Sequence, residues 1–348
     1  MTTTPVLSVA SPSDSFKAGS IELRDLRSDD VRIDVKFAGI CHSDIHQVRE
    51  EWGDSIFPMV PGHEIAGVVA EIGDGVTRVK VGDHVGVGCM VDSCGECEYC
   101  EAGFEQHCTK GAVMTYNGVG YDGEKTKGGY SQGVVVSERF VLNIPEALGL
   151  DVAAPLLCAG VTTYSPLRRW GVGEGSKVAV IGMGGLGHMG VKIAAAMGAE
   201  VTVLSRTTHK EADSKKYGAT NHFATTDEKV FTDHKGYFDV ILNTVSADLP
   251  IEDYIALLKP RGVLASVGLP PKKYEIAPGA LIGTSKVVAG SNIGGISETQ
   301  EMLDFCAKHD LGATVEVIGA DEVTAAYDKV VEGKVHYRYV IDTSTISA

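Results

Sequence analysis

The chain has 348 residues, too many for one ordinary core and too few for three, so two domains are expected. Its 31 basic and 46 acidic side chains give a net charge of -15, which would repel a phosphate backbone and excludes nucleic acid as an expected partner. No run approaches the roughly 20 apolar residues that a membrane helix needs, and the start of the chain does not have the basic and then apolar pattern of a signal peptide. We therefore expect a cytoplasmic protein without a membrane partner.

Short runs with strand periodicity, separated by turn residues, fill the first part of the chain. In 31–37 apolar and polar residues alternate, as on a strand with one buried face, and 65–72 is almost entirely apolar. These runs predict a β-rich, barrel-like domain that covers 1–153.

Strand and helix patterns alternate in the region 154–293. The apolar run 177–181 predicts a buried strand, and the i, i+4 spacing in 186–197 predicts a helix that Gly198 ends. Such alternation is typical of a doubly wound parallel sheet, which makes this an α/β domain. The other predicted elements here are strands over 200–204, 238–243, 262–267 and 287–289 and a helix over 251–258.

The end of the chain, 294–348, contains two more helical patterns and a short apolar run. Helices are predicted over 298–309 and 321–332, and a strand over 337–341. We expect this tail to return to the first domain and to pack there.

Four of the eight cysteines are concentrated in a polar, glycine-containing loop, at Cys94, Cys97, Cys100 and Cys108. In a cytosolic protein such a cluster favours metal binding over disulfides. Four thiolates at this spacing can surround a tetrahedral Zn²⁺ and leave no open position, which predicts a structural zinc lobe over about 89–112. An iron–sulfur cluster is the alternative, but the fourth cysteine comes late and no proline follows it.

A second candidate metal set is scattered along the chain at Cys41, His63 and Cys158. Each of these residues alone would more often be an ordinary core residue. Together they form a Cys₂His set, a three-ligand arrangement of catalytic zinc that leaves a fourth position for water or substrate. Cys89 and Cys306 have no ligand-type neighbours in the sequence and are interpreted as small core residues.

A glycine-rich segment, GMGGLG at 182–187, lies directly between a predicted strand and a predicted helix. In that context the glycines allow a tight turn and a close approach of backbone N–H groups to a pyrophosphate at the helix N-terminus. The residues that bind the cofactor ribose are expected about 20 positions further on. There the chain has Ser205, Arg206 and Lys210 and no carboxylate, which suits a 2′-phosphate and predicts NADP(H), although Lys210 could equally belong to a solvated loop.

These motifs, in this order, resemble those of the zinc-dependent medium-chain alcohol dehydrogenases over essentially the whole chain. The segments 41–46, 182–188 and 290–295 are most similar to the cinnamyl-alcohol-dehydrogenase branch. The resemblance implies an α/β protein with a GroES-like catalytic domain and a Rossmann-fold domain, an active site in the cleft between them, and a homodimer. It also implies a zinc-dependent, NADP(H)-dependent alcohol dehydrogenase or aldehyde reductase with a broad aldehyde range that covers aromatic and medium-chain aliphatic aldehydes.

The resemblance assigns a role to each site residue. Cys41, His63 and Cys158 would bind the catalytic zinc, with Glu64 as an occasional alternative ligand. Asp44 would orient His63, Ser43 would hydrogen-bond the oxygen of the substrate, and His46 would pass the proton outward. His42 would lie near the cofactor phosphates, with His188 as a further candidate there. The expected cofactor contacts are His42, Thr162, Gly182, Gly184, Gly185, Leu186, Gly187, Ser205, Arg206, Lys210, Ser291 and Arg338.

An aromatic and apolar run between the first two zinc ligands contains Trp52, Ile56, Phe57 and Met59. It could form a wall of the substrate pocket, which would favour medium-to-bulky aldehydes, or it could be ordinary core packing. Three other functions stay open at this point: a zinc-dependent polyol or sugar dehydrogenase, a zinc-free quinone reductase, and a non-catalytic NADPH-binding redox sensor.

Overall fold

The computed structural model describes residues 2–347, and the chain divides into two compact units. Unit 1 takes the chain up to Cys158 and again from Gly294 onward, and unit 2 is Ala159–Ile293. Within 2–347 no helix combines the length and the apolar character that crossing a membrane would demand.

The strands are named here in chain order. They are β1 Thr2–Ser8, β2 Lys17–Leu23, β3 Asp30–Gly39, β4 Ile65–Ile72, β5 His84–Val87, β6 Met90–Asp92, β7 Val113–Met114, β8 Gly133–Ser137, β9 Leu142–Asn143, β10 Lys177–Ile181, β11 Glu200–Ser205, β12 Asn221–Ala224, β13 Phe238–Asn243, β14 Leu258–Ser266, β15 Val287–Gly290, β16 Val315–Ile318 and β17 Arg338–Asp342.

The helices are named in the same way. The α-helices are α1 His42–Val48, α2 Glu98–Glu101, α3 Leu150–Ala153, α4 Ala159–Arg169, α5 Gly187–Ala196, α6 Glu211–Lys216, α7 Lys229–Asp233, α8 Ile251–Ala256, α9 Pro278–Ile282, α10 Ile296–Lys308 and α11 Val323–Val331. Short 3₁₀ helices lie at Glu105–His107, Glu138–Phe140, Ala154–Leu157, Ala320–Glu322 and Thr343–Thr345.

Unit 1 is built on a seven-stranded sheet in the order β16-β17-β3-β4-β5-β9, with β8 also paired to β3. The long strand β3 is central because it pairs antiparallel with β4, with β8 and with β17. Since β17 comes from the end of the chain, its pairing through Val340 and Gly39 ties the C-terminal segment to the first strands of the unit. The hydrophobic core beside the sheet includes a group of buried tyrosines: Tyr116, Tyr130, Tyr327 and Tyr339.

Unit 2 is a six-stranded parallel sheet in the order β12-β11-β10-β13-β14-β15. Its first strand in the chain, β10, lies in the middle, and the chain winds outward from there in both directions, as in doubly wound folds. This confirms the predicted α/β fold class, with a β-rich first region and a doubly wound second one. The α-helices of 154–293 that the sequence pattern did not predict are α4, α6, α7 and α9, and the unpredicted strand is β12.

Candidate active site

The first candidate ligand lies at the turn between β3 and α1. Cys41 is the N-cap residue of α1 and has an extended backbone conformation. Its backbone N–H donates to the carboxylate of Asp44 at 2.9 Å, so the side chain of Asp44 caps the helix that contains it. Ile45 and Val48 are buried on the same helix and anchor this turn in the core.

His63 follows a glycine that cannot be replaced without strain. Gly62 has a φ of +103°, and a Cβ there would lie 2.6 Å from the ring of Tyr130. The ring of His63 is buried, and its Nδ1–H donates to Asp44 Oδ1 at 3.0 Å, which leaves Nε2 as the free ligand atom. Burial alone would lower the pKa of His63, but the charge of Asp44 raises it well above its usual value.

The structure brings the scattered ligand candidates together. Cys41, His63, Glu64 and Cys158 are all buried, and each offers a ligand atom within 4.8 Å of the others. The Sγ atoms of Cys41 and Cys158 lie 3.9 Å apart, close to the roughly 3.8 Å that two thiolates would span on a tetrahedral Zn²⁺. The hydrogen bond with Cys158 lowers the pKa of Cys41 well below its ordinary value, although burial opposes this. Geometry and donor chemistry both fit zinc.

Glu64 and Arg338 form a buried ion pair beside this set. Burial raises the pKa of Glu64 to about 8, although the guanidinium opposes the rise. Within residues 2–347, Oε2 of Glu64 and Nε of Arg338 have no hydrogen-bond partner. The unpartnered Oε2 of Glu64, which belongs to the ligand group, is compatible with the predicted role of Glu64 as an alternative zinc ligand. The predicted contact of Arg338 with the cofactor stays a prediction.

The two residues of the expected proton relay lie on α1. Ser43 is half-buried, and its Oγ is 3.6 Å from Cys41 Sγ. His46 Nδ1 is paired with the carboxylate of Glu51, and the indole of Trp52 stacks on its ring at a centroid distance of 4.7 Å. The pairing of Glu51 with His46 was not predicted. An acidic residue five positions after a histidine is too common a pattern to indicate such a contact.

The remaining residues of the aromatic run lie in two environments. Trp52 is exposed and lies on His46, while Phe57 is half-buried and packs against the core of unit 1. Met59 belongs to that core. Ile56 is held by a hydrogen bond from its backbone N–H to Asn117. The assignment of Trp52 and Phe57 to a substrate pocket therefore stays a prediction.

The two cysteines outside the ligand sets are buried. Cys89 is buried in unit 1, as expected of a core cysteine, and the neighbouring thiol of Cys158 lowers its pKa. Cys306 is buried on α10 with its Sγ 3.6 Å from the sulfur of Met302, in agreement with core packing.

The four clustered cysteines converge on one point in unit 1. The ligand sulfurs of Cys94, Cys97, Cys100 and Cys108 all lie within 4.8 Å of one another. Cys100 Sγ is 3.9 Å from that of Cys94 and 3.5 Å from that of Cys97. Backbone N–H groups, including that of Thr109, lower the pKa of Cys97 to about 5, which favours the thiolate that zinc requires. The set fits a closed tetrahedral zinc site.

The glycine-rich turn joins β10 to α5 in unit 2. Gly182 has a φ of +90°, and a Cβ at Gly187 would overlap the carbonyl of Gly182, so both positions need glycine. Gly184 is exposed and Gly185 and Leu186 half-buried, with the helix N-terminus beside them. His188 is buried, and its Nδ1 is 2.8 Å from the carbonyl of Gly185. The arrangement fits a pyrophosphate at the start of α5.

The predicted ribose-phosphate segment follows β11, and Ser205 is the last residue of that strand. Arg206 is exposed, while Lys210 is half-buried and its Nζ donates to the carbonyl of Met183 at 3.0 Å. Lys210 therefore contacts the glycine-rich turn rather than standing free in solvent. His222 Nε2 is 3.0 Å from the carbonyl of Thr207, which holds this segment against β12.

The other predicted cofactor contacts are spread over both units. Thr162 is buried on α4, and its hydroxyl has no hydrogen-bond partner within 2–347, which leaves it available to a ligand. The backbone N–H of Ser291 donates to Ser266 at the end of β14. His42 lies on α1, with its ring centroid 5.5 Å from that of His46.

Comparison with known proteins gives matches along nearly all of the chain. The family described as "Alcohol dehydrogenase GroES-like domain" matches residues 27–146, and "Zinc-binding dehydrogenase" matches 185–308. The chain is 57% identical over 343 residues to "Probable formaldehyde dehydrogenase AdhA" of Bacillus subtilis, covering 99% of this chain and 98% of that one. It is 53% identical to "NADP-dependent alcohol dehydrogenase C 1" of Mycolicibacterium smegmatis, covering 99% of each. A cinnamyl alcohol dehydrogenase structure from Sorghum bicolor superposes with a TM-score of 0.95 at 42% identity, covering 99% of each chain.

Proposed function

Since this chain belongs to the zinc-dependent medium-chain alcohol dehydrogenases, in their cinnamyl-alcohol-dehydrogenase-like branch, we propose that it interconverts aldehydes and primary alcohols with NADP(H). The observation that carries the proposal is the buried group of Cys41, His63, Glu64 and Cys158. The three ligands Cys41, His63 and Cys158, with Glu64 as the alternative ligand, leave a fourth position for the substrate. This open set is what catalysis needs, in contrast to the closed set of four cysteines.

The bound groups and the side chains have separate tasks. When bound, zinc supplies a Lewis acid for the substrate oxygen, and the reduced nicotinamide supplies the hydride. The carboxylate of Asp44 holds His63 in the tautomer that leaves Nε2 free. Ser43, next to Cys41, donates its proton to the developing alkoxide, and His46 returns a proton to Ser43. Glu51 and Trp52 keep the ring of His46 in place for that transfer.

NADP(H) preference is expected to depend on Ser205 and Arg206. A charge-assisted hydrogen bond from arginine to a phosphate contributes about 1.5–3 kcal/mol, which corresponds to roughly one to two decades in the discrimination between NADP(H) and NAD(H). Ser205→Asp with Arg206→Leu should therefore lower kcat/KM with NADPH and raise it with NADH, since the new carboxylate repels the 2′-phosphate and accepts from a 2′-hydroxyl. The measurement is kcat/KM with each cofactor.

The matched control for this experiment is Arg169→Leu, which removes an exposed arginine of unit 2 that lies over Trp170. Its cofactor ratio should equal that of the wild type. A wild-type enzyme that uses NADH as well as NADPH would contradict the assignment of this segment.

Substrate choice is proposed to favour medium-to-bulky apolar aldehydes over acetaldehyde. If the aromatic run is a pocket wall, each buried methylene adds about 0.8 kcal/mol, so benzaldehyde or cinnamaldehyde should exceed acetaldehyde at least about tenfold in kcat/KM. The panel should also hold formaldehyde, hexanal and a sugar alcohol. Turnover of the sugar alcohol alone would favour the alternative of a polyol dehydrogenase.

The contact of Trp52 with His46 makes the variant test more specific. If Trp52 is part of the wall, Trp52→Ala should change the ratios among the aldehydes. If it only holds His46, all substrates should lose kcat by the same factor, as in the control Glu51→Gln, which removes the pairing with His46 but keeps the indole. Equal efficiency of the wild type across the panel would contradict the proposed wall.

A homodimer and a cytoplasmic location complete the proposal. Support for the dimer comes from strand β15, which lies at the edge of the sheet of unit 2 and, within residues 2–347, pairs only with β14. Val287 on this strand and Ile282 on the preceding helix are exposed, and an exposed apolar strand edge is commonly covered by a second copy. Light scattering in solution measures the assembly state.

A further inference from the structure

A chain of buried hydroxyl groups leads away from the carboxylate of Asp44 into the core of unit 1. Tyr327 donates to the hydroxyl of Tyr130 at 3.2 Å, and Tyr130 donates to Asp44 Oδ2 at 3.4 Å. Asp44 Oδ1 in turn accepts from His63 at 3.0 Å. The residue that orients His63 is therefore itself held by tyrosines.

Ordinary core packing does not account for these hydroxyls. Asp44 and Tyr130 are completely buried and Tyr327 nearly so, among aliphatic side chains. Phenylalanine would fill the same space without the cost of burying a hydroxyl, and that cost is recovered only through hydrogen bonds. The hydroxyls form one directed series, because each donates its single proton to the next and the series ends on an acceptor that has only lone pairs.

The series joins parts of the chain that are far apart in sequence. Tyr130 precedes β8, Tyr327 lies on α11, and Asp44 lies on α1. The ring of Phe16 packs against both tyrosines, with centroid distances of 5.7 Å to Tyr130 and 5.0 Å to Tyr327. Packing thus fixes the rings, and the hydroxyls transmit that fixed position to the carboxylate.

We infer that Tyr130 and Tyr327 are positioning residues for the zinc set of Cys41, His63 and Cys158. By holding Asp44 in the orientation that meets His63 Nδ1, they keep Nε2 directed at the metal and slow the release of zinc. This inference rests on the proposed function, since it requires zinc in the open set. Tyr130 acts on Asp44 directly, and Tyr327 acts through Tyr130.

The test is the rate at which holoenzyme loses zinc to the chelator 4-(2-pyridylazo)resorcinol. Tyr130→Phe and Tyr327→Phe remove one hydroxyl each and keep the ring. Cys158→Ser identifies the phase of release that belongs to the open set, because that phase should be missing in this variant. The matched control is Tyr339→Phe, since Tyr339 is buried in the same core but lies outside the hydroxyl series.

In Tyr130→Phe the Cys158-dependent phase should be about tenfold faster, at the lower end of the roughly 10–100-fold effect of losing the partner of a metal ligand, because Tyr130 holds that partner, Asp44, and not His63 itself. The release from the four-cysteine set should not change. Tyr327→Phe should give a smaller acceleration, and the double variant should match Tyr130→Phe alone, since the two act in series. Tyr339→Phe should release zinc at the wild-type rate.

A Cys158-dependent phase in Tyr130→Phe within about twofold of the wild type would overturn the inference, because Asp44 would then hold His63 equally well without the hydroxyl of Tyr130. If Tyr130→Phe does not fold, Tyr327→Phe decides by the same criterion. An acceleration equal in Tyr339→Phe would also overturn it, since that would indicate general loosening of the core. A wild type with no Cys158-dependent zinc would contradict the proposed function instead, so the two failures are distinguishable.

Discussion

Cys158→Ser should abolish aldehyde reduction and leave the fold largely intact. Cys158 is buried with its Sγ 3.9 Å from that of Cys41, and a serine hydroxyl is a poor replacement for a thiolate ligand. Zinc contributes several kcal/mol of charge stabilisation at the substrate oxygen, so the rate should fall by about three decades or more. Cys41→Ser should have the same effect. The measurements are kcat/KM and the thermal midpoint.

The four-cysteine set provides the contrast to this variant. Cys97→Ser should mainly lower the thermal midpoint, because the loop around it has little apolar core and depends on its metal for shape. Metal analysis should find zinc at both ligand groups of the wild type and at one group in either variant. One zinc per chain in the wild type, or full activity in a zinc-free preparation, would contradict the prediction.

Ser43→Ala should lower kcat by about two to four decades, which is the range attributed to a positioned proton donor. The half-buried hydroxyl of Ser43 lies 3.6 Å from Cys41 Sγ, beside the proposed ligands of the catalytic zinc. His46→Ala should cost less, since the ring of His46 is further out, beside the exposed Glu51 and Trp52, where water can substitute for it. The measurement is kcat as a function of pH for both variants.

The control for the relay is Ser43→Thr, which keeps a hydroxyl at the same position. It should retain most of the activity that Ser43→Ala loses, and Glu51→Gln should resemble a mild form of His46→Ala because it weakens the contact that holds the ring. Wild-type rates in Ser43→Ala would remove this hydroxyl from the mechanism.

Features encoded by neighbouring residues were predictable from the sequence. The periodicity of 177–181 and 200–204 predicted β10 and β11 almost to the residue, because buried parallel strands are short and nearly all apolar. Strand β12 was missed because it has four residues, two of them polar, and its partner β11 determines its conformation. The four cysteines and the glycine-rich turn were each recognisable because the members of each motif lie close together in the sequence, where spacing alone restricts their geometry.

Only the tertiary structure decided how the site is supported. The pairing of Glu64 with Arg338 joins residues 274 positions apart, and that of Tyr130 with Tyr327 joins residues 197 apart. No local pattern marks such residues, since a buried tyrosine or cysteine follows the same periodicity whether it fills space or donates a hydrogen bond. Sequence alone therefore determined the ligand types and the nucleotide turn, while the packing of distant segments decided which buried polar groups hold those ligands in place.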